Sequence, residues 1–428
     1  MELKNQINES CRMKGNKRST TDIISNLPSN VSENILKDLP LRDAVRTSVL
    51  SRKWRYLWVT LPQLVFNDQF FLKEWDNKKL KAVITRVLLF HQGPLIKFRL
   101  WYPPFESCID IDNWMFILLT KNIHEFSFSL RGGPHHEIPC HLYSFVQLRE
   151  LNLSNCVFKP PTTFKGFSRL INLNFFYVNI SSEMWGLFIS NCHLLERLRL
   201  RDCTKFDSLE INAPNLKDFE FFGIFKSISL KNTPLLAKVS VTLVYWNTMT
   251  DPEWVKFFHS VPAIEDMHLD SSFLESFAAG NVPERLPSTL ILLKVLVLSG
   301  VCYFDLDHVS WALCLLRSSP NLHKLRISRY LNNTPIQDDV IEFLQAQDFS
   351  EFSLNQLREV EIRHFSGAEP EIHFVKILLA HSKVLEKMVI LHEQEISGKK
   401  GFAILKELIR FPRASLKAEV IVSVTPDV

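Results

Sequence analysis

The sequence predicts an α/β protein with a small N-terminal helical unit, a long solenoid of parallel strands and a C-terminal module of alternating strands and helices. Three observations support this fold class. Helix-start and helix-stop signals are crowded into residues 27–61, an apolar pattern recurs twelve times afterwards, and the pattern changes from about Phe349. We therefore divide the chain into a disordered tail (1–21), the helical unit (22–66), the solenoid (67–348) and the C-terminal module (349–428).

Composition limits the classes of partner. The 428 residues are 46% hydrophobic, enough for a sizeable core, and the net charge is only +4, unlike a dedicated nucleic-acid binder. The N-terminus is polar and lacks the apolar segment of a signal peptide. The richest aliphatic stretch, 290–301, contains Lys294 and is shorter than the roughly 20 residues of a membrane span. We expect an intracellular protein of the cytoplasm or nucleus, without nucleic acid or membrane partners.

The helical unit should contain three short helices. Asn30 and Glu33 have the spacing of a capping box, and Pro40 ends the run that they start. Asp43 can cap a second helix, and Ser51 can cap a third that carries Trp54 and Trp58. The apolar side chains at helical spacing are Val31, Ile35, Leu36, Leu39, Val45, Val49, Leu50, Trp54, Leu57 and Trp58. So small a unit cannot bury them all internally, which predicts a docking face.

The same stretch resembles a plant F-box. The resemblance rests on Leu27-Pro28, Ile35-Leu36, Leu39-Pro40, "DAVRTSVLSRKWRYLW" and Leu61-Pro62. It implies a module that docks on the Skp-type adaptor protein of a cullin-RING ubiquitin ligase, with Trp54 and Trp58 in the module's own core and at its junction with the rest of the chain. The residues expected at the adaptor are Leu27, Pro28, Ile35, Leu36, Leu39, Pro40, Val45 and Val49.

The solenoid is predicted from the pattern L-x-x-L-x-L. Its copies begin at Leu95, Ile123, Leu148, Leu170, Leu195, Leu216, Leu236, Ile264, Leu293, Leu322, Leu357 and Leu385. Successive copies are about 20 to 35 residues apart, as in irregular leucine-rich repeats in which each unit contributes one parallel strand. Cys156, Cys203 and Cys302 follow such strands, where the chain turns inward and buries a small residue, so we expect reduced, buried thiols.

The C-terminal module resembles the FBD domain of plant F-box proteins that carry leucine-rich repeats. The pattern from Leu357 reads as strand, helix "PEIHFVKILLAHS", strand, helix "GFAILKELIRF" and final strand "KAEVIV". Pro412 ends the second helix. We expect this module to cap the open end of the solenoid, since a bare last repeat would expose an apolar face.

Signals for chemistry are weak. His135, His136, Cys140 and His141 are close together, and their side chains are of the type that binds zinc, but their spacing fits no common zinc site. They follow Arg131-Gly132-Gly133-Pro134, which favours a solvated loop between repeats. The sequence has no G-x-G-x-x-G, P-loop or H-E-x-x-H motif. We therefore predict a protein that is not an enzyme and has no catalytic residue, cofactor or metal.

Residues that alternate with the buried leucines should point outward and line the concave face of the sheet. The predicted target-binding residues are Trp101, Phe176, Arg197, Arg199, Arg201, Phe222, Asp266, His268, Lys324 and Arg326, and Asp218, Glu220 and Asp270 lie on the same face. Two interpretations stay open. The arginines can neutralise the neighbouring carboxylates, or the face can recognise a protein, as exposed aromatic and Arg side chains often do.

Together these features predict a substrate-recognition subunit of an SCF-type ubiquitin ligase. The resemblance implies that the F-box binds the Skp-type adaptor and, through it, a cullin, while the repeats bind an unknown target protein. One alternative is a receptor for a small signalling ligand, which a deep pocket ringed by unpaired Lys and Arg would favour. Another is an F-box protein that acts outside degradation.

Overall fold

The computed structural model describes residues 24–71, 76–102, 109–130, 135–203, 206–244, 253–275, 282–329, 339–349, 352, 354–392 and 398–424. The predicted disordered tail lies outside these ranges, as do Arg131 to Pro134. Within them, no helix is long and apolar enough to cross a membrane.

The α-helices are α1 Ser29–Asp38, α2 Leu41–Arg46, α3 Asn77–Phe90, α4 Ile109–Leu119, α5 Ser182–Ser190, α6 Glu253–His259, α7 Ser271–Glu275, α8 Leu306–Arg317, α9 Asp339–Ala346, α10 Glu369–His381 and α11 Gly398–Arg410. Three further segments are 3₁₀ helices: Thr47–Val49, Trp54–Thr60 and Cys140–Ser144.

The strands are β1 Gln63–Phe66, β2 Lys97–Tyr102, β3 Glu125–Leu130, β4 His136–Glu137, β5 Glu150–Val157, β6 Asn172–Asn179, β7 Arg197–Arg201, β8 Phe206–Asn212, β9 Asp218–Gly223, β10 Phe225–Lys231, β11 Lys238–Leu243, β12 Asp266–Asp270, β13 Val295–Val301, β14 Lys324–Arg329, β15 Glu359–Phe365, β16 Lys387–His392 and β17 Glu419–Val424.

One parallel sheet runs through nearly the whole described chain. Its order is β1-β2-β3-β5-β6-β7-β9-β11-β12-β13-β14-β15-β16-β17, with β4 attached to β5, while β8 and β10 form a separate pair. Each of the twelve sequence repeats supplies one of these strands, so the predicted solenoid is confirmed. The register aligns equivalent positions; for example, Leu151, Leu173, Leu198 and Phe219 lie side by side and are buried. Every repeat thus buries its apolar positions against its neighbours.

Several strands have a residue in the left-handed region near their C-terminal end. Asn155, Tyr177, Asp202 and His364 have φ between 48° and 56°, and Gly300 has φ of 71°. The next residue then turns inward, as Cys156 does after Asn155. The expectation that the chain turns inward at these points is confirmed for Cys156, which is fully buried, whereas Cys203 and Cys302 are only half-buried.

The predicted caps of the first two helices are wrong. Helix α1 begins after Pro28, whose carbonyl accepts hydrogen bonds from the backbone N–H groups of Val31 and Ser32, both at 3.1 Å, and no side chain caps it. Asn30 already lies inside the helix. In the same way α2 begins after Pro40, and Asp43 lies in its first turn. Ser51 does accept from the N–H of Trp54 at 3.4 Å, but the helix there is 3₁₀ rather than α.

The C-terminal region continues the sheet. Strands β15, β16 and β17 pair in parallel with one another and with β14, and the helices α10 and α11 alternate with them as predicted. The sheet begins at Gln63 and ends at Val424, so it spans both predicted boundaries, 66/67 and 348/349. The residues that were expected to cap the solenoid therefore continue the same sheet.

The segment with the histidines is more ordered than a solvated loop. His136 and Glu137 pair in parallel with Cys156 and Val157, and Ile138 is buried beside them. A 3₁₀ helix follows and buries Leu142. Among the described residues, no group of three His, Cys, Asp or Glu side chains is placed to hold a metal ion.

Candidate functional site

The helical unit has a small core of its own. Leu41, Ala44 and Trp54 are buried, and the indole Nε1 of Trp54 donates to the carbonyl of Ile24 at 3.0 Å. Trp58 packs against this core and is partly buried. The structure thus places Trp54 in the core of the module, while Trp58 lies at the edge of that core.

Several apolar side chains of the unit have no such cover. Val49 is 88% exposed, and Val31, Ile35 and Leu50 are exposed as well. Together with Pro28 and Pro40, which are also exposed, these residues form what we call the helical patch. Exposed apolar surface of this kind typically marks a protein interface. Val31 and Leu50 were not among the predicted adaptor contacts, because the helical pattern alone does not reveal which side of a stripe is covered.

The eight predicted adaptor residues divide into three groups. Pro28, Ile35, Pro40 and Val49 are exposed, whereas Leu27, Leu39 and Val45 are half-buried and pack against the core. Leu36 is only 1% exposed, so the structure places it in the interior of the unit and not on the helical patch. The periodicity of α1 brings Leu36 and Ile35 to different sides, and only the latter faces solvent.

The helical unit is joined to the first repeat by specific hydrogen bonds. His91, at the end of α3, is buried, and its Nε2 lies 2.8 Å from the carbonyl oxygen of Leu61. Burial lowers the pKa of His91. The side chain of Gln63 in β1 donates to the carbonyl of Lys37 at 2.7 Å. One hydrogen bond thus ties the end of α1 to β1, and the other ties the end of α3 to Leu61, just before β1.

The outward residues of the strands form a second surface, which we call the open face. The parallel register aligns them in rows that run across the strands. The first row consists of Lys97, Glu125, Glu150, Asn172, Arg197, Asp218, Lys238, Asp266, Val295, Lys324, Glu359, Lys387 and Glu419. Acidic and basic residues mostly alternate. At a strand spacing of about 4.8 Å, neighbours of opposite charge can form ion pairs.

The three predicted arginines of β7 all point outward and all have partners. Arg199 lies 3.1 Å from Glu220 and 3.7 Å from Asp218, and Arg201 lies 3.1 Å from the other oxygen of Glu220. The Nε of Arg197 donates to Asn172 at 2.7 Å. The arrangement supports the first interpretation, in which this row neutralises the carboxylates of β9.

The charged residues further along the sheet are paired in the same way. Asp266 bonds to Lys238 at 3.3 Å and to His268 at 3.0 Å. Burial alone would raise the pKa of Asp266, but these two neighbours outweigh it and hold the pKa below its ordinary value. Lys324 pairs with Glu359, whose pKa it lowers through their hydrogen bond, and Arg326 pairs with Glu361 at 3.1 Å.

Asp270 departs from the predicted outward position. It is 8% exposed, and its carboxylate accepts hydrogen bonds from the backbone N–H groups of Leu243 and Phe273. Burial raises its pKa to about 6. Its carboxylate therefore links the end of β11 to the start of α7 from the inside, at the point where β12 passes directly into that helix.

A cavity of about 350 Å³ lies on the open face between β2 and β6. Trp101 and Phe176, 41% and 40% exposed, form its sides, as predicted from their outward positions. Small polar residues form its floor, and Arg99 lines one side. We call this the aromatic cleft; its residues are Arg99, Trp101, Ser127, Ser129, Glu150, Asn152, Ser154, Asn174 and Phe176. The floor residues were not predicted from the sequence. Ser and Asn at the outward positions of "EFSFSL" and "ELNLSN" are the pattern that indicates such a floor.

Phe222 does not belong to the cleft. In the register it lies beyond Arg201, which separates it from Phe176, and the Arg201 guanidinium lies 5.8 Å from the centre of the Phe222 ring. Two cysteines of the described chain, Cys192 and Cys203, have unreactive thiols. Burial raises the pKa of Cys192 to about 12 and that of Cys203 to about 11, so their thiols stay protonated at neutral pH.

Comparison with known proteins agrees with this architecture. An F-box domain model matches residues 24–65, and the model described as the At1g61320/AtMIF1 LRR domain matches 95–211 and 203–404. Among relatives from Arabidopsis thaliana, F-box/FBD/LRR-repeat protein At1g13570 is 38% identical over 94% of this chain and 98% of its own length. FBD-associated F-box protein At5g56370 is 26% identical, and F-box/FBD/LRR-repeat protein At5g56420 is 22% identical; each alignment covers 94% of this chain and 99% of the relative.

The matched segments coincide with the two surfaces described above, since the F-box match contains the helical patch and the repeat match contains the aromatic cleft. Both models and a relative with 38% identity point in the same direction. The chain belongs to the F-box/FBD/LRR-repeat protein family of plants.

Proposed function

We propose that this protein is a substrate-recognition subunit of an SCF-type cullin-RING ubiquitin ligase. The observation that carries the proposal is the helical patch: the F-box segment exposes Ile35 and Val49, for which the described chain provides no apolar cover. A Skp-type adaptor would cover this patch and link the chain to a cullin. The open face of the same chain would hold the target protein.

Such a protein acts by proximity. The F-box/LRR family consists of adaptors and is not itself catalytic. Binding a target and the ligase on one rigid chain raises the effective concentration of the target near the ubiquitin-loaded partner, which increases the transfer rate without a new chemical group. The proposed site of action is intracellular, in the cytoplasm or nucleus, where the ubiquitin machinery operates.

The small-ligand alternative requires unpaired cations around a pocket. On the described part of the open face, most lysines and arginines of the rows described above pair with carboxylates or Asn172, and the aromatic cleft contains one arginine. The paired rows therefore favour a protein target. A role of the F-box protein outside degradation would use the same surfaces. The experiment with a proteasome inhibitor distinguishes it from a role in degradation.

The test is to reconstitute the full chain with a recombinant Skp-type adaptor and cullin, and to purify the complex from plant cells with and without a proteasome inhibitor. We expect a stable complex with the adaptor, and co-purified proteins that become more abundant when the proteasome is inhibited. Co-purified proteins whose abundance does not change would indicate a role outside degradation. Failure of the wild-type chain to bind the adaptor would overturn the proposal.

A further inference from the structure

The aromatic cleft differs from the rest of the open face in having space. In the register, Ser129 and Ser154 lie between Trp101 and Phe176, so two small residues separate two large ones. The strands that carry the rings are about 14 Å apart, at roughly 4.8 Å per strand. On the other side of Phe176 the next strand carries Arg201, whose long side chain pairs with Glu220. The gap between the two rings therefore has room for one large side chain of an extended segment.

Arg99 is a cation without an acidic partner. Among the residues that the structure describes, no carboxylate forms an ion pair with it, and its Nε is buried without a hydrogen bond. Its neighbours in the register are Val65 and Ser127, and its guanidinium lies 5.6 Å from the centre of the Trp101 ring. By contrast, Lys97 on the same strand pairs with Glu125 at 2.7 Å. A cation that lines a cavity and has no carboxylate beside it favours an anionic group supplied from outside.

The floor of the cleft is held in place by its own hydrogen bonds. The Nδ2 of Asn152 donates to Ser127 at 2.9 Å and to Glu150 at 2.8 Å, and Asn174 donates to the Oδ1 of Asn152. Glu150 lies two strands away from Arg99. It is aligned with Lys97, the outward residue that precedes Arg99 on β2. The cleft is thus rigid and polarised, cationic at Arg99 and anionic at Glu150.

An independent observation concerns Tyr177, at the rim. Its φ is +52°, and its ring packs edge-on against Phe176 with the ring centres 4.5 Å apart. Corresponding positions of neighbouring repeats hold Asn155 and Asp202, which tolerate this conformation far better than an aromatic residue. A bulky, exposed side chain kept in a strained conformation is a feature of binding sites.

Resting on the proposed function, we propose that the aromatic cleft is the target-reading subsite and that it binds a short extended segment in which an apolar side chain stands beside an acidic residue. The apolar side chain lies over Ser129 and Ser154, between Trp101 and Phe176. The carboxylate forms a two-pronged ion pair with Arg99. Glu150 repels a second acid at the other end, which fixes the direction of the segment.

The experiment pans a phage library of random 12-residue peptides on the full chain bound to its adaptor. We expect enriched peptides to share an apolar residue next to Asp or Glu. A synthetic consensus peptide should bind at least tenfold more weakly to the variants Arg99→Gln and Trp101→Ala/Phe176→Ala. Panning on Arg99→Glu should replace the acidic position by Lys or Arg. Matched controls are Arg169→Glu, an exposed arginine in a turn outside the cleft, and Leu187→Ala, an exposed leucine on α5, which should bind like the wild type.

Adaptor capture and melting temperature establish that each variant is folded. If Arg99→Glu does not fold, Arg99→Gln tests the role of Arg99 in its place. The inference is overturned if no peptide is enriched, if the consensus lacks an acid, or if Arg99→Glu selects the same acidic consensus. It is equally overturned if the cleft variants keep wild-type affinity for the peptide. Adaptor binding and the response of co-purified proteins to proteasome inhibition are measured on the wild type, so failure of the cleft is distinguishable from failure of the proposed function.

Discussion

The helical patch and the open face are both candidate interfaces, yet they are built in opposite ways. The patch consists of apolar side chains such as Val49, which is 88% exposed and has no cover within the described chain. The open face consists mainly of charged side chains that already satisfy one another, as Arg199 and Glu220 do. A surface of the first kind is stabilised by a partner, whereas a surface of the second kind is stable without one.

This difference indicates where a recognition site is to be expected on a charged sheet. A row of alternating charges can be a product of parallel stacking alone, because side chains of adjacent strands are only about 4.8 Å apart. Recognition is better sought where that pairing stops. In the aromatic cleft it stops at Arg99, which faces Ser127 and not a carboxylate. The following predictions test the two surfaces, starting with the largest effect.

The helical patch should dominate adaptor binding. Replacing both Ile35 and Val49 by Asp places charges in an interface that would otherwise be dry, and we expect adaptor affinity to fall more than about 100-fold, or roughly 3 kcal/mol or more. The measurement is a titration of purified adaptor. Leu187→Asp, which changes an apolar residue of α5 whose exposure lies between those of Ile35 and Val49, should leave the affinity unchanged. Equal binding by the double variant would refute the role of the patch.

We expect Gly367 to be important for the stability of the solenoid and unimportant for adaptor binding by the F-box. Its φ is +72°, and an added Cβ would lie 2.2 Å from the Cδ1 atom of Ile404 on α11. Gly367→Ala should therefore lower the free energy of unfolding by about 2 to 4 kcal/mol, from left-handed strain plus overpacking. Chemical denaturation measures this change.

The matched control is Gly93→Ala, at φ +85° with no atom within 4 Å of the added Cβ, which should show the strain alone. Adaptor capture by folded Gly367→Ala protein should be normal, since contacts in a solenoid pass only between neighbours. Loss of adaptor binding by a variant that is still folded would show that the two regions are coupled.

Two acids of one strand should respond to pH with opposite signs. Asp270 is buried with a pKa raised to about 6, so the folded state binds more protons than the unfolded state between about pH 4 and 6. Stability contributed by protonated Asp270 is therefore lost as pH rises through that window, by up to about 3 kcal/mol. Asp270→Asn should flatten the pH dependence of the denaturation midpoint there.

Asp266 provides the opposite sign. Its pKa is lowered by His268 and Lys238, which overcome burial, so its contribution is present above the unfolded pKa and is lost as pH falls through the folded one. Asp266→Asn should therefore destabilise the protein at neutral pH and less so in acid. If both variants changed the midpoint in the same direction at every pH, the distinction between buried and paired carboxylates on β12 would be wrong.

The sequence was sufficient for the repeats but not for the surfaces. Period-two alternation of large apolar residues is a local signal, and it located the strand of each of the twelve repeats. The caps of α1 and α2 were missed because the backbone carbonyls of Pro28 and Pro40 perform that role, and not the side chains of Asn30 and Asp43. The identity of a cap depends on where the chain enters the helix, which the residue types leave open.

The aromatic cleft and the burial of Leu36 depend on packing between distant segments. Trp101 and Phe176 were predicted to face outward, but the gap between them exists only because two intervening strands place serines in register. Leu36 and Ile35 have the same chemical character, and only the position of Trp54 and Leu41 around them decides which is covered. The outward position predicted for Asp270 was wrong, because the repeat pattern does not indicate that the chain turns inward into α7.

The smallest expected effect concerns Arg197, Arg199 and Arg201. Reversal of all three to Glu would put like charges beside Asp218 and Glu220, and exposed pairs of this kind contribute a few tenths to about 1 kcal/mol each. We expect a modest fall in melting temperature with adaptor binding and target capture intact, because these arginines are already engaged within the sheet. Adding Glu220→Arg to the reversed row should restore part of the loss, since it recreates the pairs with opposite polarity.

The paired measurement of melting temperature and co-purified proteins decides whether the row is structural or a second recognition site. Sharp loss of targets at an unchanged melting temperature would show that the row contacts the target, and the recognition surface would then extend from Phe176 to Phe222. A lower melting temperature with unchanged targets confines recognition to the cleft. Because Arg201 adjoins Phe176, a partial loss limited to peptides of the cleft consensus would mean that the reversed charge acts on the carboxylate held by Arg99. Raising the salt concentration should abolish such a loss, since exposed charges are screened over about 10 Å at 0.1 M salt, and it should leave direct contacts of the cleft rings unaffected.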